Sequence, residues 1–279
     1  MLNGPRLPMT SSDIGIALQQ AAFALNGQRP GEAERISAEV LKVDPRDARA
    51  LHIFGCAVLM QGRAAEAIAP LETAARIRHD SEIDMQLAAA LRQAGRVDDA
   101  LSRLKRAIKR QPPNPRAFYE LGCALASTKY YDEAAEVFER GRGIAPMGAE
   151  FSTQLGRVFL ERRDFAKAKH AFARALEISP ASHDALSGMA RAHQGAGEHD
   201  KAAELFRHCL ATKPDPGTWL NLGRCLLRLG QLDEGYDCFR FAVRSDPKRY
   251  GNALGMLTRS ARGRFWLKPS AAARFLQSK

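Results

Sequence analysis

The chain has 279 residues, of which 45% are hydrophobic and 26% charged, so its composition excludes a wholly disordered polymer and allows a packed core. The formal net charge is +11 and is unevenly placed, because residues 248–279 hold eight Lys and Arg and no Asp or Glu. Only +3 therefore belongs to the rest of the chain, so the main body is close to balanced in charge and the tail is strongly basic.

Cysteine usage and hydropathy indicate the cellular compartment in which the protein is expected. The five cysteines are odd in number and contain no C-x-x-C pair, which argues against a disulfide framework or a zinc site. No apolar run approaches the roughly 20 residues of a membrane span. The first ten residues lack the apolar block of a secretory signal. We therefore expect a cytoplasmic protein without metal or cofactor.

Small residues recur along the chain with a spacing of 33 or 34 residues. The first series comprises Ala21, Gly55, Ala88, Gly122, Gly156, Ala190 and Gly223. A second series follows twelve residues behind and comprises Ala33, Ala67, Ala100, Ala134, Ala168, Ala202 and Gly235. A repeat of this length predicts stacked supersecondary units, none of which can bury its apolar face alone.

Each unit is predicted to contain two antiparallel helices. In residues 115–148, Phe118, Leu121 and Leu125 follow the spacing of one helical stripe, and Phe138 lies on the stripe of a second helix that ends before Pro146. We expect the small residues to lie where the helices cross, because only short side chains let the backbones approach. A larger side chain there would overpack the crossing.

These features resemble the tetratricopeptide repeat family. The segment Trp219-Leu220-Asn221-Leu222-Gly223 is similar to the opening of the family motif, and its later aromatic position is met by Phe138, Phe172, Phe206 and Phe239. Prolines close most units, at Pro45, Pro112, Pro146, Pro180, Pro214 and Pro247. The resemblance implies a bacterial-type protein made of repeats alone, folded as an all-α, right-handed α-solenoid of about seven repeats with a C-terminal capping helix.

The period sets the expected boundaries. Residues 1–13 are predicted to be a flexible N-terminal segment and residues 250–279 a basic C-terminal cap and tail. Between them the repeats are expected at 14–47, 48–80, 81–114, 115–148, 149–182, 183–215 and 216–249. After Arg249 the pattern fades, and Ala253, Met256 and Leu257 could form the inner stripe of the cap.

In this family the first helices of the repeats line a concave groove, and the resemblance places three arginines there. Arg157, Arg191 and Arg224 occupy the same position of consecutive repeats. Arg228 would extend this series, and Asn221 and Gln154 would add hydrogen-bonding groups. Guanidinium groups hold carboxylates through paired hydrogen bonds, which indicates a groove for an acidic peptide segment or a C-terminal carboxylate. The alternative is a set of ordinary solvated arginines, some paired with Glu150, Glu161 or Asp184.

Two further surfaces have competing interpretations. In the N-terminal repeats, Ile53, Leu59, Met60 and Met85 would face the groove and suit an apolar side chain, or else pack against neighbouring helices. In the tail, Arg262, Arg264, Phe265, Trp266 and Lys268 could bind phosphates and bases, or the aromatic residues could cover the last repeat. A second basic stretch, residues 103–110, is typical of a solvated helix face.

No catalytic motif is apparent, since the sequence contains neither H-E-x-x-H nor G-x-S-x-G, and we expect no enzyme activity. The expected function is that of a protein–protein interaction scaffold or adaptor that binds an extended, acidic peptide in the groove. The alternatives are association with nucleic acid or an anionic membrane through the basic tail, and self-assembly by repeat stacking. The sequence identifies neither the partner nor the oligomeric state.

Overall fold

The computed structural model describes residues 10–258, 270 and 274–276 and divides the chain into two compact units, Met1–Thr128 and Lys129–Lys279. Within the described residues all regular structure is helical. None of the described helices is long and apolar enough to cross a membrane.

The first unit contains seven helices in its described part. They are α1 (Ser11–Asn26), α2 (Pro30–Val43), α3 (Ala48–Met60), α4 (Ala64–Ile77), α5 (Ser81–Gln93), α6 (Val97–Ala107) and α7 (Pro115–Ser127). Each helix packs on the next one, and the odd-numbered helices also contact each other, α1 with α3, α3 with α5 and α5 with α7. The odd-numbered helices thus form one layer and the even-numbered helices the other.

The second unit has the same internal arrangement of helices. Its described helices are α8 (Tyr131–Ile144), α9 (Ala149–Glu161), α10 (Phe165–Ile178), α11 (His183–Gly195), α12 (His199–Thr212), α13 (Pro216–Leu229), α14 (Leu232–Ser245) and α15 (Tyr250–Thr258), with a short 3₁₀ helix at Pro247–Arg249. Helix α11 contacts both α9 and α13, and these three helices form what we call the inner layer of this unit. The predicted all-α fold of stacked helix pairs is confirmed; the division into seven repeats stays a prediction.

The first helix begins at Ser11, inside the segment 1–13 that the sequence assigns to a flexible terminus. The reason is a capping box at Thr10. The Thr10 backbone N–H donates to Asp13 Oδ2 at 2.9 Å, and the Asp13 backbone N–H donates to Thr10 Oγ1 at 3.2 Å. The first helix therefore begins three residues before the expected start of the first repeat, and the repeat boundaries themselves stay predictions. Residues 1–9 lie outside the described part of the chain.

The turns between paired helices share one backbone feature. One residue per turn has a positive φ, and the series comprises Gln28, Gly62, Gly95, Lys129, Arg163, Gly197 and Gly230. Glycine adopts this conformation without a steric penalty, whereas a side chain makes it costly. Four turns therefore use the residue that suits this geometry, and three turns carry backbone strain.

Glycines of the first series lie where two helices approach closely. A Cβ atom at Gly156 of α9 would lie 2.6 Å from the Phe172 ring of α10, and one at Gly55 of α3 would lie 2.5 Å from Leu71 of α4. Gly188 of α11 faces the same Phe172 ring. The ring therefore fills the space between consecutive helix pairs, and it is fully buried.

The basic stretch 103–110 is only partly a solvated face. Leu104, Ala107 and Ile108 are buried, as the pattern predicts. Arg110, however, turns towards α5, where its Nε and Nη2 atoms each donate to Asp84 Oδ2 at 3.2 Å. Asp84 is 1% exposed, and its Oδ1 has no hydrogen-bond partner. Arg110 therefore compensates a buried charge.

Helix α15 covers the end of the second unit. Ala253 and Leu257 are buried against α14, together with Leu276 from the last described segment. The Phe275 ring meets Tyr236 edge-on at 5.5 Å, and Arg240 lies 5.0 Å above its centroid. The described part of the C-terminal region therefore acts as a cap on the helix pair α13–α14.

Candidate functional site

The three arginines of the predicted series lie in the inner layer of the second unit. Arg157, Arg191 and Arg224 are the ninth residues of α9, α11 and α13, and all three are exposed. Because α11 packs against both α9 and α13, these equivalent positions occupy the same face. The helical period therefore places three cations along one surface.

Two of these cations have carboxylate partners on the adjacent inner helix. Arg157 Nη2 lies 3.0 Å from Asp184 Oδ2, and Arg191 Nη2 lies 3.9 Å from Glu161 Oε1. About half of each side chain remains accessible, so the pairs are solvent-screened and contribute little to stability. Asp184 and Glu161 are also the partners that the alternative interpretation of the sequence names. The charge of this part of the face is thus largely neutralised.

Arg224 is different, because the group that holds it is a neutral amide. Its Nη2 atom donates to Gln194 Oε1 of α11, and no carboxylate of the described residues lies within ion-pair distance of it. Although the residue is exposed as a whole, desolvation and then repulsion from Arg191 and Arg228 lower the pKa of Arg224. Arg224 therefore keeps an uncompensated charge beside two other cations.

Arg224 and Arg228 line a pocket between α13 and α15, which we call the Arg224 pocket. Its volume is about 480 Å³, and its wall also includes Asn252, Phe239 and Met256. Asn252 adds an amide that can donate or accept hydrogen bonds. The arrangement combines two guanidinium groups, one amide and an apolar wall, which is the chemistry needed to bind a carboxylate attached to an aliphatic chain.

His199, the first residue of α12, lies within the electrostatic influence of Arg224 and Arg228. Burial, followed by repulsion from Arg228 and Arg224, lowers the pKa of His199 below its usual value. Its ring therefore stays neutral at physiological pH and adds no charge to the site. Its Nδ1 atom is buried without a hydrogen-bond partner.

The two predicted polar residues lie on inner helices but not in the Arg224 pocket. Asn221, on α13, is half-buried, and its backbone carbonyl accepts a hydrogen bond from Gln194 Nε2 at 2.9 Å. Gln154, on α9, is half-buried. Among the residues that line the pocket, the structure places Arg224 and Arg228 but neither of these two.

The four apolar residues predicted in the first unit do not form one exposed surface. Leu59 and Met85 are buried, and Ile53 packs against Leu18 and Val40. Only Met60 is largely exposed, at 50%. Neighbouring helices cover the others, because positions beside a helix crossing face the adjacent helix and not solvent.

Met85 lines a crevice of about 200 Å³ between α5 and α7. Ala89 and Cys123 stand there at the position that carries arginine in the second unit. The predicted tail residues Arg262, Arg264, Phe265, Trp266 and Lys268 lie outside the described residues.

The sequence analysis misses Gln194, His199 and Asn252. For Gln194 a signal exists, since Leu59, Leu160 and Leu227 occupy the same position of other repeats and a polar residue replaces them here. For His199 and Asn252 no such signal exists, because their relevance depends on how α12 and α15 pack beside α13.

Profiles of the tetratricopeptide repeat family match residues 85–149, 159–216 and 216–249. Among curated proteins, the cell division cycle protein 27 homolog A of Arabidopsis thaliana is 30% identical over 97 residues, which are 35% of this chain and 14% of that protein. The chain thus spans a small part of this relative.

Solved structures show the same fold. A tetratricopeptide repeat protein from Parabacteroides merdae aligns with a TM-score of 0.64 and 14% identity, over 89% of this chain and all of that one. YrrB, a tetratricopeptide repeat protein with an unusual peptide-binding site, aligns with a TM-score of 0.52 and 22% identity, over 61% of this chain and 88% of its own. At these identities the likeness concerns the fold alone.

Proposed function

Because the chain belongs to the tetratricopeptide repeat family, we propose that it is a protein–protein interaction scaffold and that it binds an extended acidic segment of a partner protein. The segment lies along the inner layer of the second unit, and its acidic side chains are held at the Arg224 pocket. The partner is a protein, and the role is that of a non-catalytic adaptor.

The observation that carries this proposal is that Arg224 is hydrogen-bonded to a neutral group and not to a carboxylate. Arg157 and Arg191 already face carboxylates, whereas the hydrogen-bond partner of Arg224 among the described residues is the amide oxygen of Gln194. An incoming carboxylate therefore gains a charge-assisted hydrogen bond there without displacing an internal partner. Arg228 lines the same pocket and adds to the attraction.

The remaining predicted residues have secondary roles in this proposal. Arg157 and Arg191 are already paired with Asp184 and Glu161, so each would contact the acidic segment only by exchanging its present carboxylate for one of the ligand. Asn221 and Gln154 offer amide groups to the peptide backbone, which does not select a sequence. The specificity for acidic ligands therefore rests on Arg224 and Arg228.

Five free cysteines, all within the described part of the chain, accord with the reducing cytoplasm that we propose as the location. Four of them are buried. Neither this location nor the binding proposal requires a cofactor or a metal ion.

Selection from a random library of displayed twelve-residue peptides tests the proposal. We expect the wild-type protein to enrich peptides rich in Asp and Glu, and the enrichment to disappear with the Arg224→Gln, Arg228→Gln double variant. A matched control removes two charges from exposed residues outside the inner layer, Arg174→Gln with Lys213→Gln. The proposal is wrong if the wild type selects no acidic peptides or if both double variants behave alike.

A further inference from the structure

Gln194 is a buried polar residue whose hydrogen bonds join two inner helices. It lies near the end of α11 and is 7% exposed. Its Nε2 atom donates to the backbone carbonyl of Asn221 at 2.9 Å and lies 3.0 Å from Cys225 Sγ, both on α13. Its Oε1 atom accepts from Arg224, also on α13. All the polar atoms of this side chain therefore have partners on the neighbouring repeat.

The orientation of this amide follows from its surroundings. A backbone carbonyl can only accept a hydrogen bond, so the Gln194 atom that faces the Asn221 oxygen must be the NH₂ group. The amide oxygen then points the other way, towards a group that can only donate, and Arg224 is such a group. A buried amide with its partners fixed in this way cannot rotate without leaving a polar atom unsatisfied.

The neighbouring arginines show by contrast how a neutral hydrogen-bond partner differs from a charged one. Asp184 orients Arg157 and cancels its charge at the same time, whereas Gln194 orients Arg224 and leaves its charge in place. Glu has a similar shape, but its carboxylate has no N–H to donate to the Asn221 carbonyl, so only an amide satisfies both contacts with α13. The amide at 194 therefore joins the two helices and, as a second consequence, leaves the charge of Arg224 in place.

We propose that Gln194 is the positioning residue of the Arg224 pocket: it holds the Arg224 guanidinium in place through a neutral hydrogen bond and thereby makes the pocket selective for anionic side chains. This inference rests on the proposed function, because it concerns the same binding surface. It adds a residue outside the pocket wall that sets both the geometry and the net charge of the site.

The test uses a defined probe, a fluorescein-labelled ten-residue peptide in which Glu and Ser alternate, here called the Glu–Ser peptide. Its uncharged counterpart has Gln in place of Glu and is called the Gln–Ser peptide. Binding to the full chain is followed by fluorescence anisotropy at several salt concentrations. Circular dichroism and thermal melting establish that each variant is folded.

Gln194→Glu is the first variant, since it keeps the length of the side chain and gives Arg224 a carboxylate partner. Because it also removes the donor to the Asn221 carbonyl, its effect is compared with that of the same substitution in the Arg224→Gln background. We expect it to weaken binding of the Glu–Ser peptide by about tenfold or more and to reduce the salt dependence, because one charge no longer attracts the ligand. The preference for the Glu–Ser peptide over the Gln–Ser peptide should fall with it. Ala166→Glu adds the same charge at an exposed residue of α10 and should change binding little.

Gln194→Met is the second variant, because it keeps length and burial but cannot hold the guanidinium. We expect a loss of about threefold or more with the salt dependence retained, since Arg224 stays charged but loses its orientation. In an Arg224→Gln background, neither substitution at 194 should weaken binding further, because the two residues act as one unit. If Gln194 acted only by stabilising the fold, its substitution would weaken binding equally in the wild-type and the Arg224→Gln backgrounds.

The outcomes separate this inference from the proposed function. If wild-type binding of the Glu–Ser peptide does not depend on Arg224, the proposed function fails. If it depends on Arg224 but Gln194→Glu binds like the wild type, only the inference fails. If Gln194→Glu does not fold, the test uses Gln194→Met alone and in the Arg224→Gln background. An equal loss of peptide binding in both backgrounds would overturn the positioning role of Gln194.

Discussion

The Phe172 ring lies against the backbone of Gly156, so closely that a Cβ atom at this glycine would stand 2.6 Å from the ring. A contact of this kind leaves no room for a methyl group unless the buried ring moves. We therefore expect Gly156→Ala to lower the free energy of unfolding by about 1–3 kcal/mol. Urea denaturation followed by circular dichroism measures this change.

Gly143→Ala is the matched control for this prediction. Gly143 lies in α8, and an added Cβ would meet no atom within 4 Å. Alanine is favoured over glycine in a helix by about 0.5–1 kcal/mol, so this variant should be as stable as the wild type or more stable. Equal stability of Gly156→Ala and the wild type would show that Phe172 can move away at no cost.

The turn at Arg163 offers a stabilising substitution. Arg163 has a φ of 59°, while the equivalent residue of the next turn, Gly197, has a φ of 83°. A left-handed conformation costs a non-glycine residue roughly 1–2 kcal/mol, of which the greater entropy of unfolded glycine offsets a part. We expect Arg163→Gly to raise the free energy of unfolding by up to about 1 kcal/mol.

The reverse substitution, Gly197→Ala, should destabilise the chain. Both variants can be measured by the same denaturation experiment. The strain argument is wrong if the two substitutions have effects of the same sign.

The fold follows from the sequence more readily than the site does. The regular spacing of Gly55 and Gly156 predicts close helix pairs, because only a small residue tolerates the approach of Leu71 or Phe172. The site depends on distances between side chains of different repeats. The pattern places Arg157 and Arg224 at equivalent positions but does not reveal that one faces a carboxylate and the other an amide.

Because Arg110 is paired with a buried Asp84, removing the single charge of Arg110 should lower the stability of the chain strongly. Asp84 is buried, and among the described residues Arg110 is the only hydrogen-bond partner of its carboxylate. Removal of one member of a buried pair leaves an uncompensated charge, which costs about 3–5 kcal/mol. We expect Arg110→Gln to destabilise the chain by this order.

Arg116→Gln serves as the control in the same unit. Arg116 lies 3.6 Å from Glu82 and is 63% exposed, so this change should cost about 1 kcal/mol or less. Thermal and urea melts compare the two variants. Similar stabilities would mean that water reaches Asp84 when Arg110 is absent.

Burial should protect two of the cysteine thiols from alkylation. Burial raises the pKa of Cys56 and of Cys238 to about 12, so at pH 8 each carries about a thousandth of the thiolate of an ordinary cysteine. Iodoacetamide should therefore modify both residues at least about 100-fold more slowly in the native protein than in urea. Mass spectrometry of tryptic peptides measures the rates, and similar rates in both conditions would contradict the packing described above.

The most direct test of the proposed function is an anisotropy titration of the Glu–Ser peptide against three proteins. They are the wild type, the Arg224→Gln, Arg228→Gln double variant and the Arg174→Gln, Lys213→Gln control. We expect the wild type and the control to bind alike, with an affinity that falls as salt rises, and the Arg224 and Arg228 variant to bind at least about tenfold more weakly. Equal binding by the two double variants would show that net charge alone attracts the peptide and that the Arg224 pocket is not its site.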